Sequence, residues 1–333
     1  MKNRKWTMGL AVALCCSLFL QACTGISGNV SDSEKEEAGL VESGIVSNSE
    51  AVTFTVSASQ SGYSDTDYVV PTGISEKREG VDYGVMDDRI SYYSSTVGEN
   101  KECGVLLPAG YHTGQKYPVV YILHGNGGDH YDWNRDDSFL QTLVGNMTAD
   151  GLMVPSVIVM VDMWTAPKAL KENPTIDTQL AAYDELYKDL RDNLIPYIVE
   201  NYSVMDSREG TAIIGTSQGG TESLVAGFSL LDNFGYISAL APCPGVIAMP
   251  DYPSTAWNTP VLDDFVIPEG KKPYYLALTV GDKDPWCIQS TQFYDQVMTE
   301  QGIQHDYQFV EGLGHEDALW QNGIYNFLKR IFQ

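Results

Sequence analysis

Basic side chains are scarce in this chain. Its 333 residues hold 20 Lys and Arg against 44 Asp and Glu, a formal charge of −24 at pH 7. Nucleic-acid partners need clustered cations to displace phosphate counterions, so that class is excluded by charge. Glycine-rich phosphate cradles are missing as well. No Gly-x-Gly-x-x-Gly and no Gly-x4-Gly-Lys-Ser/Thr run occurs, so dinucleotide and P-loop chemistry are not signalled. Cysteine is sparse, six in all, with no Cys-x-x-Cys pair to hold a metal or run a redox cycle. A membrane-spanning run is not evident either, because the apolar stretch Met8–Leu20 is too short to cross a bilayer comfortably.

What is present reads as a soluble globular protein, 43% hydrophobic and 19% charged, long enough for one large core. The first residues read as an address. Lys2, Arg4 and Lys5 precede Met8–Leu20, and Leu20-Gln21-Ala22-Cys23 is similar to the bacterial lipobox. The expectation is a signal peptide over 1–22, a lipidated Cys23 and an exported, membrane-anchored protein. Residues 23–80, rich in Ser, Gly, Glu and Asp, are expected to form a flexible tether whose one alternating patch is Val52–Val56. The body then occupies 81–333 and carries most of the acidity, 34 acidic against 14 basic groups. It retains Cys103, Cys243 and Cys287, expected as buried free thiols because three cannot all pair.

Within the body, Ile90–Ser94 and Cys103–Leu107 read as early strands, and short apolar runs then repeat: Val119–Leu123, Val157–Val161, Ala212–Ile214, Ile237–Leu240 and Tyr275–Val280. Continuous apolar runs of that length suit strands buried on both faces. Between them lie helical periodicities. One sets Leu180, Tyr183, Tyr187, Leu190, Leu194 and Ile198 on one face, with Pro196 as the expected bend. The fold class is therefore α/β, a mostly parallel central sheet with helices on both faces.

The most informative text is Gly215-Thr216-Ser217-Gln218-Gly219, placed after an apolar strand and before a helical run. A serine on so tight a strand-to-helix turn needs very small neighbours at minus two and plus two, and the turn lifts its hydroxyl above the sheet edge. Ser217 is the candidate nucleophile. A hydroxyl is a weak nucleophile without a base and an orienting acid. Of the histidines, His315 follows the expected strand Asp306–Val310 in a loop that can reach over the sheet edge. His305 starts that strand at its far end, His112 and His130 belong to loops, and His124 suits a brace for the following glycines. Gly281-Asp282-Lys283-Asp284 follows the strand ending at Val280. Asp284 can arch back to His315, whereas Asp282 suits a turn cap. The order Ser217, Asp284, His315 is that of α/β-hydrolases. Charge developing on a carbonyl oxygen needs donors. The backbone N–H of Gln218 is one candidate, and that of Asn126 in His124-Gly-Asn-Gly-Gly128 is the other. No metal or cofactor is called for by these residues.

Taken together, residues 82–333 resemble the esterase D/feruloyl esterase branch of the α/β-hydrolases, which includes carbohydrate esterase family one. The matching text includes Tyr92–Thr96, Val105–Tyr111, Tyr117–Gly128, Asp192–Tyr202, Gly215–Gly220, Gly281–Asp284 and Gly314-His315. The resemblance implies a serine carboxylic-ester hydrolase. Combined with export, it points to feruloyl or acetyl groups on plant cell-wall polysaccharide, a hydroxycinnamoyl ester among them. Trp133, Trp164, Trp286 and Trp320 lie in or near expected loops around the site. Trp164 and Trp286 are the better placed to line a substrate pocket, with Trp133 a third candidate, while Trp320 suits the core equally well. Other readings stay open: another esterase D-like acyl hydrolase or acyltransferase, a serine peptidase on the same fold, or a non-catalytic binding lipoprotein.

Overall fold

Six consecutive-neighbour parallel strands form the centre of the molecule, and their sequence explains why. In this computed structural model, which describes residues 54–59, 68–135, 138–253 and 255–333, the strands are β1 (Phe54–Ser59), β2 (Val85–Ser94), β3 (Glu99–Leu107), β4 (Val119–Leu123), β5 (Val157–Val161), β6 (Thr211–Thr216), β7 (Tyr236–Leu240), β8 (Tyr275–Gly281) and β9 (Asp306–Val310). They hydrogen-bond in the order β1-β9-β8-β7-β6-β4-β5-β3-β2. Strands β5 through β9 and β4 run parallel, while β2, β3 and β1 add antiparallel edges. Every residue of β4, β5 and β6 is buried, as expected for strands covered on both sides.

Alternate side chains feed two cores. Val119, Tyr121, Leu123, Val159 and Ile213 face one layer, and Val120, Ile122, Ile158, Ala212 and Ile214 face the other. Helices α3 (Leu186–Asp189), α4 (Ile195–Asn201), α5 (Gln218–Ser229) and α6 (Ile288–Glu300) cover the first; α1 (Leu140–Ala149) and α7 (Asp317–Leu328) cover the second. Each aliphatic side chain removed from water in these layers contributes about 1.5–3 kcal/mol. Parallel pairing puts the C-terminal ends of β4, β6, β8 and β9 along one edge, and the loops leaving that edge carry the candidate residues.

Two expectations change. The periodic stretch 180–198 is not one helix bent at Pro196. Helix α2 (Ile176–Ala181) ends, turns occupy 182–185, and α3 then widens into a π turn over Leu190–Leu194, closed by the Ile195 N–H on the Leu190 carbonyl. Pro196 sits in the first turn of α4, where its missing N–H costs nothing because the ladder has already been re-registered ahead of it. The tether boundary also moves upstream. Tyr68 and Ile74 are buried, the Tyr68 hydroxyl donates to Asp306, and β1 pairs with β9 from Phe54↔Val310 to Ser59↔Asp306. Residues 54–59 and 68–80 are thus part of the body, not tether. The signal peptide, Cys23 and the rest of the tether lie outside the described residues.

Candidate active site

Ser217 stands between β6 and α5 with φ 57° and ψ −122°, a conformation that L side chains rarely adopt. The turn is held from three sides: its N–H donates to Leu240 O at 2.8 Å, and its carbonyl accepts from Gly220 at 2.9 Å and Thr221 at 3.2 Å. The flanking glycines are dictated by backbone contact. A Cβ on Gly215 would lie 2.0 Å from the Gly219 carbonyl oxygen, and one on Gly219 would lie 2.3 Å from that of His124. Both would require the strand-to-helix turn to open.

The histidine and the acid arrive on two loops stitched to each other. Asp282 N–H donates to Val310 O, Lys283 N–H donates to Leu313 O, and the Asp282 carboxylate accepts the Gly312 N–H at 2.7 Å. Gly281 permits this approach, since a Cβ there would meet the Leu313 carbonyl oxygen at 2.1 Å. The outcome is a chain of contacts. His315 Nε2 lies 2.8 Å from Ser217 Oγ, and His315 Nδ1 lies 2.7 Å from Asp284 Oδ2. Asp284 Oδ1 accepts the N–H groups of Trp286 and Cys287, both at 2.8 Å. Burial alone would raise the Asp284 pKa, but the His315 hydrogen bond and those two N–H donors outweigh it and hold the carboxyl below its usual range. An ionised Asp284 on Nδ1 keeps Nε2 facing the serine as a proton acceptor.

The glycine-rich loop after β4 reaches the same point. Gly125 passes Ser217 closely enough that a Cβ on it would be 3.7 Å from the serine Cβ. Gly127 N–H is engaged by Tyr183 OH and Gly128 N–H by Gly125 O, while Asn126 is exposed at the tip. His124 braces the loop from below. Its Nε2 accepts the Met163 N–H at 3.1 Å, which leaves Nδ1 to donate to Gly125 O at 2.7 Å. Burial pushes its pKa down against the opposing pull of Asp162, so the ring is neutral in this role. Gln218 opens α5, where no preceding turn supplies a helical acceptor for its N–H.

The tryptophans separate. Trp286 is 55% exposed with its ring 5.0 Å from that of His315, edge to face. Trp320 lies 4.8 Å from the His315 ring on a perpendicular plane, so this residue, as well suited to the core on sequence grounds, walls the site. Trp164 is buried against Tyr183, which also touches the His124 ring. Trp133 does not meet its pocket expectation: it is 6% exposed and packs edge-on to Phe139 in the α1 layer. His305 is engaged by Ile303 O and Asp295 at the start of β9. Sequence reasoning missed Cys243, whose Sγ lies 3.5 Å from Ser217 Oγ. The loop after β7 was the signal, since it leaves the same sheet edge beside β6. Asp284, Cys287 and His315 place metal-capable atoms within 4.8 Å of one another, but Asp284 and His315 are already bonded to each other.

The arrangement can activate a serine hydroxyl and receive a developing oxyanion. Comparison with known proteins places the chain among esterases. The Esterase family model, described as "Putative esterase", matches residues 94–331. An endo-1,4-beta-xylanase/feruloyl esterase of Xylanibacter ruminicola is 24% identical over 262 residues, 77% of this chain and 32% of that protein. The chain thus spans about a third of that relative's length. A solved CE1 ferulic acid esterase of Anaeromyces mucronatus, in complex with ferulic acid, superposes with TM-score 0.72 at 29% identity, covering 79% of this chain and 96% of that one. An S-formylglutathione hydrolase of Staphylococcus aureus shares the fold at TM-score 0.52 and 14% identity, covering 75% of this chain and all of that one.

Proposed function

This chain belongs to the Esterase family, and from that premise we propose that it is an exported serine esterase removing hydroxycinnamoyl or acetyl groups from plant cell-wall polysaccharide. The observation that carries the chemistry is the line Ser217 Oγ, His315 Nε2, His315 Nδ1, Asp284 Oδ2, at 2.8 and 2.7 Å. In this reading Nε2 takes the hydroxyl proton as Oγ bonds to the ester carbonyl carbon. Asp284 stabilises the imidazolium, and the N–H groups of Gln218 and Asn126 hold the oxyanion. Collapse breaks the ester C–O bond, and His315 returns the proton to the departing sugar hydroxyl. A water deprotonated by His315 then attacks the acyl carbon, releasing the acid and free Ser217. No step calls for a metal or cofactor.

The hydroxycinnamoyl preference is supported by the 29% identity to a ferulic acid esterase and by the aromatic surroundings of His315. Trp286 and Trp320 offer flat faces for a phenolic ring or a sugar, whereas Trp164, buried like Trp133, backs the His124 loop through Tyr183 and does not meet its pocket expectation. Export on a lipid at Cys23 is supported by the basic start, the apolar run and the lipobox-like text. The partners are then the acylated polysaccharide and, through the anchor alone, a bacterial membrane.

The test compares kcat/KM for methyl ferulate and a simple aryl acetate, with Ser217→Ala as the blank. Preference for ferulate by tenfold or more is expected, with the variant losing about 10^6-fold in kcat while keeping its melting temperature. Preference for acetate moves the assignment to a small acyl site. Comparable turnover by Ser217→Ala overturns the nucleophile.

A further inference from the structure

Cys243 and Cys287 stand face to face directly behind the nucleophile, 44 residues apart in sequence, with their sulfurs 2.9 Å apart. Both are buried, and both backbones are fixed by polar contacts that owe nothing to the sulfurs. The Cys243 carbonyl accepts from Thr221 Oγ1 at 2.9 Å and from Tyr294 OH at 3.0 Å, which places it between α5 and α6. The Cys287 carbonyl accepts from Ser290 and Thr291, and Ser290 Oγ also donates to Pro242 O at 2.6 Å, joining the two loops next to the thiols. A disulfide needs sulfurs about 2.05 Å apart. Here the remaining closure is roughly 0.9 Å, a displacement on the scale of side-chain rotation.

We propose that Cys243 and Cys287 are a disulfide-forming pair that cross-links the acid-bearing turn to the loop behind Ser217. Exchange with a small-molecule disulfide closes it. Cys243 is the entry sulfur, because it borders the Ser217 cleft at 3.5 Å whereas Cys287 is sealed at 1% exposure. The Cys243 thiolate bonds to one sulfur of the external disulfide and expels the other as a thiolate. Cys287 then attacks the Cys243 sulfur and expels the second. Two cysteine thiols are oxidised by two electrons, one external disulfide is reduced to two thiols, and the two protons pass to the departing thiolates. Cys103 has no part in this: it lies on β3, away from the loops that carry Cys243 and Cys287.

The consequence concerns Asp284. The Cys287 N–H is one of the two donors that hold Asp284 Oδ1, so anchoring Cys287 to the β7 loop anchors the carboxylate that orients His315. Closure also shortens the unfolded chain's freedom across the 243–287 loop, which raises stability.

The experiment incubates the purified full chain in glutathione buffers from fully reduced to fully oxidised. Free thiols are then blocked under denaturing conditions, and peptides are mapped without reduction. The Cys243 and Cys287 peptides should appear in oxidised buffer as one species two hydrogens lighter than their sum, and separately blocked in reduced buffer. The melting temperature should rise with the cross-linked fraction by about 5–10 °C. Cys287→Ser should show neither change, and the wild-type comparison stands even where that variant folds poorly. Separate blocking of both cysteines in the most oxidising buffer overturns the proposal. So does pairing of either with Cys103, or a cross-link that leaves the melting temperature unchanged.

Discussion

At the scale of single residues, the site is built by close approach. Gly215, Gly219 and Gly281 each sit where a Cβ would fall within 2.3 Å of a carbonyl oxygen, so small residues are required by backbone contact and not by flexibility. His124 is the least conspicuous of the positioning side chains. It must accept from Met163 N–H and donate to Gly125 O at once, which only the neutral ring can do. Beneath it, burial would raise the Asp162 pKa, but Lys171 and Lys101 more than offset this and keep it ionised. The His124 pKa is lowered in the folded protein, so near pH 6.5 and just below it the unfolded chain binds the extra proton. Stability from this group is therefore full above about pH 6.5 and drains as pH falls towards the lower folded value. The wild type should lose melting temperature between pH 7 and 5 more steeply than His124→Gln, which starts lower but lacks that proton uptake. Parallel slopes in a pH series of melts would show the ring carries no such linkage. The glycine spacing around Ser217 and the order of acid and base were legible in the sequence because local geometry and chain order dictate them. Cys243 was not, and Trp320 stayed divided between core and site, because their place depends on which neighbouring loops and helices meet over the sheet edge.

Among the elements, continuous apolar runs identified the central strands, since burial on both faces leaves a pattern no single-faced strand shows. The segment 176–201 was harder. Its periodicity is unbroken in sequence, yet the chain turns at 182–185 and widens at Leu190–Leu194. A buried carboxylate supplies a reason for that register. Asp189, at the end of α3, accepts from Lys101 Nζ at 2.7 Å, Tyr92 OH at 2.8 Å, Ser94 Oγ at 2.5 Å and Asn193 Nδ2 at 3.1 Å. It thereby ties the π turn to β2 and β3. Lys101 is 5% exposed, so Asp189→Ala leaves a cation in the interior with its counter-ion gone. The expected loss is about 3–5 kcal/mol in urea unfolding, with kcat of the folded fraction unchanged. A loss under about 1 kcal/mol would mean that water reaches Lys101 and the node is not a fastener.

On the scale of the whole molecule, the acidic balance names no substrate, but it does describe a body that repels polyanions. What the sequence concealed at this scale is where that body begins. A Ser- and Gly-rich segment with few apolar residues reads as tether, and the pairing of β1 with β9 spans some 250 positions that no local pattern can report. The structure shows what the segment does. Tyr68 is fully buried, its hydroxyl donates to the buried Asp306, and the Arg330 guanidinium lies 3.9 Å over its ring. The carbonyls of Ile74 and Glu76 accept from Asn146, itself 0% exposed, and Arg78 pairs with Asp150. A chain starting at Val81 loses all of these together. Two buried apolar side chains are worth about 1.5–3 kcal/mol each, and the buried acceptor and amide left behind cost about 1–3 kcal/mol each. Against a total stability of about 5–15 kcal/mol, that loss consumes most of the margin. The fragment 51–333 should therefore fold and unfold cooperatively in urea, whereas 81–333 should be largely unfolded or recovered only as aggregate. Equal urea midpoints for the two would restore residue 81 as the start of the body and reduce β1, Tyr68 and Ile74 to a surface covering.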